Sequence, residues 1–287
     1  ADGLQVSRIG TEMMRIFLAI AAFLSMTTAG FGQEGRLGQG EPWGLNMQGA
    51  ASPLMEEMVD FHNLLLVIIT LITLLVLGLL IWVMVRYNER SNPTPSRTSH
   101  NTLVEVVWTI VPILILLVIA VPSFKLLINT HEVEDAEMTL KATGYQWYWE
   151  YEYPDHGGFS FVANMINEGE EGYDPALRLL KTDNVVVLPA RTNIKVQVTA
   201  ADVGHSWAMP AAGGKVDGWP GHLNELPIYF EKEGTYFGQC SELCGMLHGF
   251  MPIMVEVVSK DEFEAWAQQQ SAGLDGGDLK VAQSGRR

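Results

Sequence analysis

The sequence predicts a membrane-anchored all-β protein, in which an N-terminal hairpin of two transmembrane helices carries a small β-sandwich or Greek-key barrel. Three observations predict it. Two long apolar runs hold no charged residue. Beyond the second run, segments rich in β-branched and aromatic residues alternate with turn residues at short intervals. No long amphipathic helix intervenes between those segments.

The runs come first. Leu64 to Val85 is 22 residues without a charge, and Val106 to Phe124 is 19. At about 1.5 Å per residue each measures roughly 30 Å, the hydrocarbon thickness of a bilayer. The second run carries Pro112 and Pro122. Membrane helices tolerate proline where neighbouring helices re-satisfy the freed carbonyls, which points to a larger membrane partner. Arg86, Arg90 and Arg97 lie between the runs, so the positive-inside rule puts that loop in the cytoplasm and both termini outside. An 11-residue apolar run, Ile16 to Met26, follows Arg15 and precedes the small residues Ala29, Gly30 and Gly32. It is too short to span a bilayer and reads as an export signal, removed near Gly30 to Gln33. Residues 1–12, upstream of Met13 and Met14, read as an over-extended start.

The organisation expected is therefore a signal and extension over 1–32 and an outer segment over 33–60. The hairpin occupies 61–125, with helices over about 62–86 and 104–125, and the β domain follows over 126–270. Residues 271–287 read as a disordered tail. The membrane expected is a bacterial inner membrane with the β domain on its periplasmic side.

Within the β domain, Met138–Tyr153 (MTLKATGYQWYWEYEY), Val185–Leu188, Asn193–Thr199, Gly234–Gln239 and Pro252–Val258 read as strands. Gly157–Tyr173 is polar and glycine-rich and reads as a long loop. Ser259-Lys260-Asp261-Glu262 is a capping box that starts a short helix to about Gln270. The formal net charge is −15. From Leu126 onward 24 Asp/Glu stand against 11 Lys/Arg. Nucleic acid is excluded as a partner, because phosphates need a basic face. The acidity fits a basic partner steered by the field, and it fits plain solubility equally.

The chemistry concentrates in Gly238–Met254 (GQCSELCGMLHGFMPIM). Cys240, Cys244, His248 and Met251 follow the spacing C-x3-C-x3-H-x2-M, and His205 lies 35 residues before Cys240 in DVGHSWAMP. Thiolate, imidazole and thioether are soft or borderline ligands, unsuited to calcium. Zinc would take the cysteines and histidines but gains little from methionine. One Cys, two His and a weak Met make a single-copper electron-transfer site. A second thiolate lets two sulfurs bridge two copper ions, with one histidine terminating each. An electron shared by two bridged coppers changes each bond less than an electron held on one. The site reads as a relay, with no open coordination position. The two exported cysteines also admit a disulfide, and a C-x3-C with a distant histidine admits a thioredoxin-like copper chaperone. The chaperone fold needs a helix directly after the first cysteine, and this sequence shows none.

The segment GQCSELCGMLHGFMPI resembles the CuA loop of the cytochrome c oxidase subunit II family. GYQWYWEYEYP resembles that family's aromatic segment, DVGHSWAMP its first-histidine segment and VEVVWTIVP the start of its second membrane helix. The resemblance runs from about Asp60 to Trp266. It implies a cupredoxin-like domain in the electron-accepting subunit of an aa3-type oxidase, which takes electrons from cytochrome c and passes them to haem in subunit I. Subunit III is a further implied partner, and the whole reduces oxygen to water and pumps protons. The resemblance implies Cys240 and Cys244 as bridging ligands, His205 and His248 as terminal ones, Met251 as the thioether and Glu242 through its backbone carbonyl. The Glu242 side chain is implied to reach a magnesium or manganese ion shared with subunit I. Trp147 is implied to accept the electron, Glu105 to stand at a proton-channel mouth, and Glu152, Asp183 and Asp202 to dock cytochrome c.

One segment departs from the pattern. Lys215–His222 (KVDGWPGH) stands where the family usually reads K-x-D-A-x-P-G-R, so His222 replaces a forked, permanently charged arginine. A quinol-oxidase subunit of the same fold would lack the copper ligands, and all are present. A nitrous-oxide-reductase-like protein would share the loop but lack the membrane helices. N-terminal sequencing of the mature chain is expected to begin between Gly30 and Gln33; a start at Ala1 would overturn the export reading.

Overall fold

The computed structural model describes residues 38–40, 44–130 and 135–275. The expected signal and its extension (1–32), and the tail beyond 275, lie outside the described residues. Helix α1 spans Pro53–Arg86 and α2 spans Thr102–Asn129. Both are long and apolar enough to cross a bilayer, and their apolar side chains point outward, away from protein. Each begins at a built cap. Ser52 is extended and accepts from the Met55 amide, with Pro53 pre-set for the first turn. Asn101 accepts from the Val104 amide, while its own amide donates to the Glu105 carboxylate. At the far end Glu57 accepts from Lys125 at 2.9 Å and from Asn129 at 2.8 Å, which pins α1 to α2.

The β domain holds strands β1 (Met138–Tyr145), β2 (Tyr148–Tyr153), β3 (Phe159–Ala163), β4 (Val186–Pro189), β5 (Ile194–Ala200), β6 (His205–Met209), β7 (Gly214–Gly218), β8 (Asn224–Ile228), β9 (Gly234–Gln239) and β10 (Pro252–Val258). They form a five-stranded sheet in the order β3-β2-β1-β5-β8, a three-stranded sheet β4-β10-β9 and a ribbon β6-β7. Strict alternation in β1, β2 and β5 buries every second side chain. The inward rows of all the sheets share one core around Trp149, Tyr151, Tyr153, Trp207 and Tyr236. Several polar tips in that core are paired: the Tyr153 hydroxyl meets both the carbonyl and the amide of Val187, and Trp207 donates to the Tyr151 hydroxyl, while the Trp149 indole nitrogen is buried without a partner.

Four local readings change. Met138–Tyr153 is two antiparallel strands, because Gln146 and Trp147 form the turn between them. The expected long loop over Gly157–Tyr173 contains β3, whose Phe159 and Phe161 are drawn in by stacking on Tyr153. Strands β6 to β8 had no clear alternation to announce them; β6 is buried on both faces. The terminal helix α3 starts at the Ser259–Glu262 capping box and runs Lys260–Asp275, beyond Gln270.

The first turn of α1 seats directly on this domain. The Ala51 amide donates to the Ala211 carbonyl and the Ser52 hydroxyl to the Ala212 carbonyl, both at 2.8 Å, and Met55 is buried. Just before that joint in the chain, β6 is crossed tightly by β9. A Cβ on Gly238 would sit 1.9 Å from the Ala208 carbonyl oxygen, so only glycine permits that approach. Gly238→Ala is expected to cost about 3 kcal/mol, the upper range for overpacking. Thermal unfolding of the detergent-solubilised chain, followed by near-ultraviolet circular dichroism, checks it.

Candidate metal centre

The β9–β10 hairpin builds most of the site. Its last ladder pair is Gln239 with Pro252, and the Cys240 amide then donates to the Met251 carbonyl at 3.2 Å. Cys240 and Met251 are thus held opposite each other at the neck of the loop. Within the loop a single helical turn over His248–Phe250 folds back, and the His248 amide donates to the Gly245 carbonyl. His205 arrives from the other direction, as the first residue of β6. The Ser241 amide donates to the Ser206 carbonyl at 3.0 Å and ties that strand to the loop.

The donors converge. The His205, Cys240 and Cys244 ligand atoms all lie within 4.8 Å of one another, and all three residues are buried. Both cysteines are free thiols, 3.9 Å apart at sulfur. His205 Nδ1 is 3.8 Å from Cys240 Sγ, and His248 Nδ1 is 3.7 Å from Cys244 Sγ. Met251 Sδ is 3.5 Å from Cys244 Sγ, and the Glu242 carbonyl oxygen is 3.4 Å from Cys240 Sγ. Each thiol thus has one imidazole of its own.

Charge distributes unevenly over the pair. Burial opposes ionisation of Cys240, but the His205 imidazole, then the Ser206 and Glu242 backbone contacts and His248, bring its pKa down to about 7. Burial and then the charge on Cys240 push Cys244 up to about 12. One thiolate therefore forms readily and suppresses the second; a bound cation removes that conflict by neutralising both. Burial works against protonation of His205, yet Cys240 and Asp202 together raise its pKa.

The other singled-out residues fall in three places. Trp147 sits in the β1–β2 turn, half-buried, with its indole over the cysteine loop. A Cβ on Gly245 would lie 3.2 Å from that ring, and Gly245 has φ +120, so glycine is needed there twice over. Asp202 lies at the metal centre, 2.9 Å from His205 Nε2. Glu152 and Asp183 lie along the five-stranded sheet, outside the cluster: Glu152 pairs with Lys141 at 2.8 Å, and Asp183 accepts from Asn164 and Asn184. Glu105 is in the first turn of α2, at the opposite end from Glu57's clamp. His222 is exposed in a turn, its amide on the Trp219 carbonyl. Sequence reasoning missed Gln146, whose side chain donates to the Cys244 carbonyl at 2.7 Å. Its one signal was adjacency to Trp147.

Residues 138–258 match the family described as cytochrome C oxidase subunit II, periplasmic domain, and residues 40–126 match that subunit's transmembrane domain. The chain belongs to the cytochrome c oxidase subunit II family. It is similar to a probable cytochrome c oxidase subunit 2 of Rickettsia bellii (strain RML369-C), 47% identical over 242 residues, covering 84% of this chain and 90% of the relative. A Rickettsia felis relative described in the same words is 44% identical over 272 residues, covering 94% and 84%. Cytochrome c oxidase subunit 2 of Arabidopsis thaliana is 44% identical over 236 residues, covering 80% and 90%. As a family member the chain is a two-helix membrane protein with a periplasmic domain. It is a subunit of cytochrome c oxidase, through which electrons pass from cytochrome c into a haem–copper oxidase. Its His, Cys, Cys and Met donors are consistent with the family's copper site.

Proposed function

We propose that this subunit holds two copper ions and relays single electrons from cytochrome c to haem in subunit I. The observation that carries the reading is the pairing of each thiol with its own histidine around a sulfur pair 3.9 Å apart. Cys240 and Cys244 would supply the site's two thiolates, His205 and His248 one imidazole each, and Met251 and the Glu242 carbonyl weaker donors. When bound, the copper pair supplies a reversible one-electron site with little rearrangement. The chain's residues hold it rigidly: five of the six donors hang on one loop whose ends are paired in a sheet, and burial keeps water away.

Trp147 is the residue at which the electron enters, since its ring packs on the loop that carries Cys244. Glu152, Asp183 and Asp202 dock a lysine-rich cytochrome c, an attraction that weakens with salt. The Asp202 oxygens also serve His205, Val203 and Gln146. Glu105 stands at a proton-channel mouth at the cytoplasmic end of α2, and the Glu242 carboxylate reaches a magnesium or manganese ion shared with subunit I. Subunits I and III are the membrane partners that the outward-facing apolar surface of α1 and α2 needs, together with lipid. In this arrangement 1–32 is the export signal with its extension, 61–125 spans a bacterial inner membrane, and 33–60 and 126–270 lie in the periplasm with both termini. Histidine at 222 leaves the polar network of that turn without arginine's forked donors.

Copper counting with electron paramagnetic resonance on the purified chain tests the metal reading. Two coppers per chain sharing one unpaired electron are expected; one copper, or none with the cysteines disulfide-linked, would overturn it. For the electron path, Trp147→Ala is expected to slow reduction of the copper site by bound cytochrome c at least about tenfold, some 1.4 kcal/mol in the barrier, with little change in Kd. Flash-initiated electron transfer measures the rate, and an unchanged rate with weakened binding would count against it.

A further inference from the structure

His205 is completely buried, and both ring nitrogens have defined neighbours. Nδ1 faces Cys240 Sγ at 3.8 Å, and Nε2 lies 2.9 Å from Asp202 Oδ1. A carboxylate accepts only from an N–H, so the Nε2 position carries a proton and Nδ1, which faces the thiols, is the nitrogen left to a metal. Asp202 is itself held: its Oδ1 accepts from the Val203 amide at 2.7 Å and its Oδ2 from the Gln146 amide at 2.8 Å. Gln146 then reaches onward, donating from its side chain to the Cys244 carbonyl at 2.7 Å. One continuous path therefore joins His205, Asp202, Gln146 and Cys244, and the residue after Gln146 is Trp147.

We infer that Asp202 and Gln146 are positioning residues of the metal centre: Asp202 fixes the tautomer and aim of His205, and Gln146 fastens the turn that carries Trp147 to the cysteine loop. The inference rests on the copper reading above. It separates Asp202 from Glu152 and Asp183, whose bonds run to Lys141, Asn164 and Asn184 and not to the six ligand residues. A carboxylate behind a ligating imidazole orients the ring and raises its basicity, and losing such a partner costs about 10- to 100-fold in metal affinity or activity. Gln146 acts through geometry. Its backbone amide is bonded to Asp202 in the β5–β6 connection and its side chain to the cysteine loop, so the turn that carries Trp147 is held at two points.

The experiment uses the assembled oxidase. Wild-type enzyme is first checked for two coppers in the subunit; their absence overturns both the copper reading and this inference. With copper present, nuclear magnetic resonance on the wild type should find one ligand imidazole whose Nε2 proton exchanges slowly. Asp202→Asn should speed that exchange, raise the midpoint potential of the copper site by removing a negative charge behind its ligand, and lower copper affinity about tenfold or more. Asp202→Glu, which keeps the charge, should return the potential toward wild type. Gln146→Ala should slow electron transfer within the bound cytochrome c complex about tenfold at unchanged KM. Fast exchange at both ligand histidines in the wild type overturns the inference without any variant. So does a pair of variants that raise KM for cytochrome c while leaving potential, exchange and internal rate unchanged, since that pattern marks docking alone.

Discussion

The Cys240 amide and the Met251 carbonyl make one hydrogen bond beyond the last paired residues of β9 and β10, and the donor cluster hangs from it. A loop of that length, free at its neck, would sample many shapes, and bringing its donors together would cost the entropy of each. Closed by the sheet, its neck is already fixed on folding. The helical turn at His248–Phe250 and the Ser241–Ser206 bond then leave the loop little freedom. Close passage of β9 over β6 at Gly238 brings His205 within reach. The site is thus a product of strand pairing, and the metal need supply little of the ordering.

That arrangement also settles an electrostatic problem. Two thiols 3.9 Å apart in a buried place resist double ionisation, and the chain leaves them asymmetric, with Cys240 the readier thiolate. Their imidazole neighbours and the backbone around Cys240 stabilise one charge. A second charge waits for a cation. Such a cluster is reactive as long as it is empty of metal, which gives burial of both sulfurs a protective value as well as a structural one.

Much of this was legible in the residues. The two uncharged runs, the strands at β9 and β10 and the C-x3-C-x3-H-x2-M spacing all carry local signals that survive folding unchanged. Strand β3 was hidden because its glycine-rich flanks outweighed its two phenylalanines, whose partner Tyr153 is supplied only by tertiary packing. Strands β6 and β7 pair with each other as a ribbon, and β6 is buried on both sides, so alternation was lost. At the centre itself, Asp202 stood three residues before His205 in plain view, but its acidity made it look like a surface charge. Its contact with the ring depends on how the chain bends into β6, which no period in the sequence encodes. Gln146 was invisible for a related reason: its bond to Cys244 links positions 98 apart in the chain.

The seat of α1 on the β domain has a further consequence. Ala51 and Ser52 bond to the backbone at Ala211 and Ala212, immediately before the first helical residue, and Met55 is buried in the same joint. Farther along, Glu57 binds Lys125 and Asn129 of the neighbouring helix. The outer domain is therefore mounted on a stiff mast and not moored by a tether. A tethered carrier would deliver charge by wandering until it met its acceptor, at a rate set by the volume it searched. A mast holds the donor cluster at one distance from its helices, so that distance is set by packing within the chain and not by diffusion.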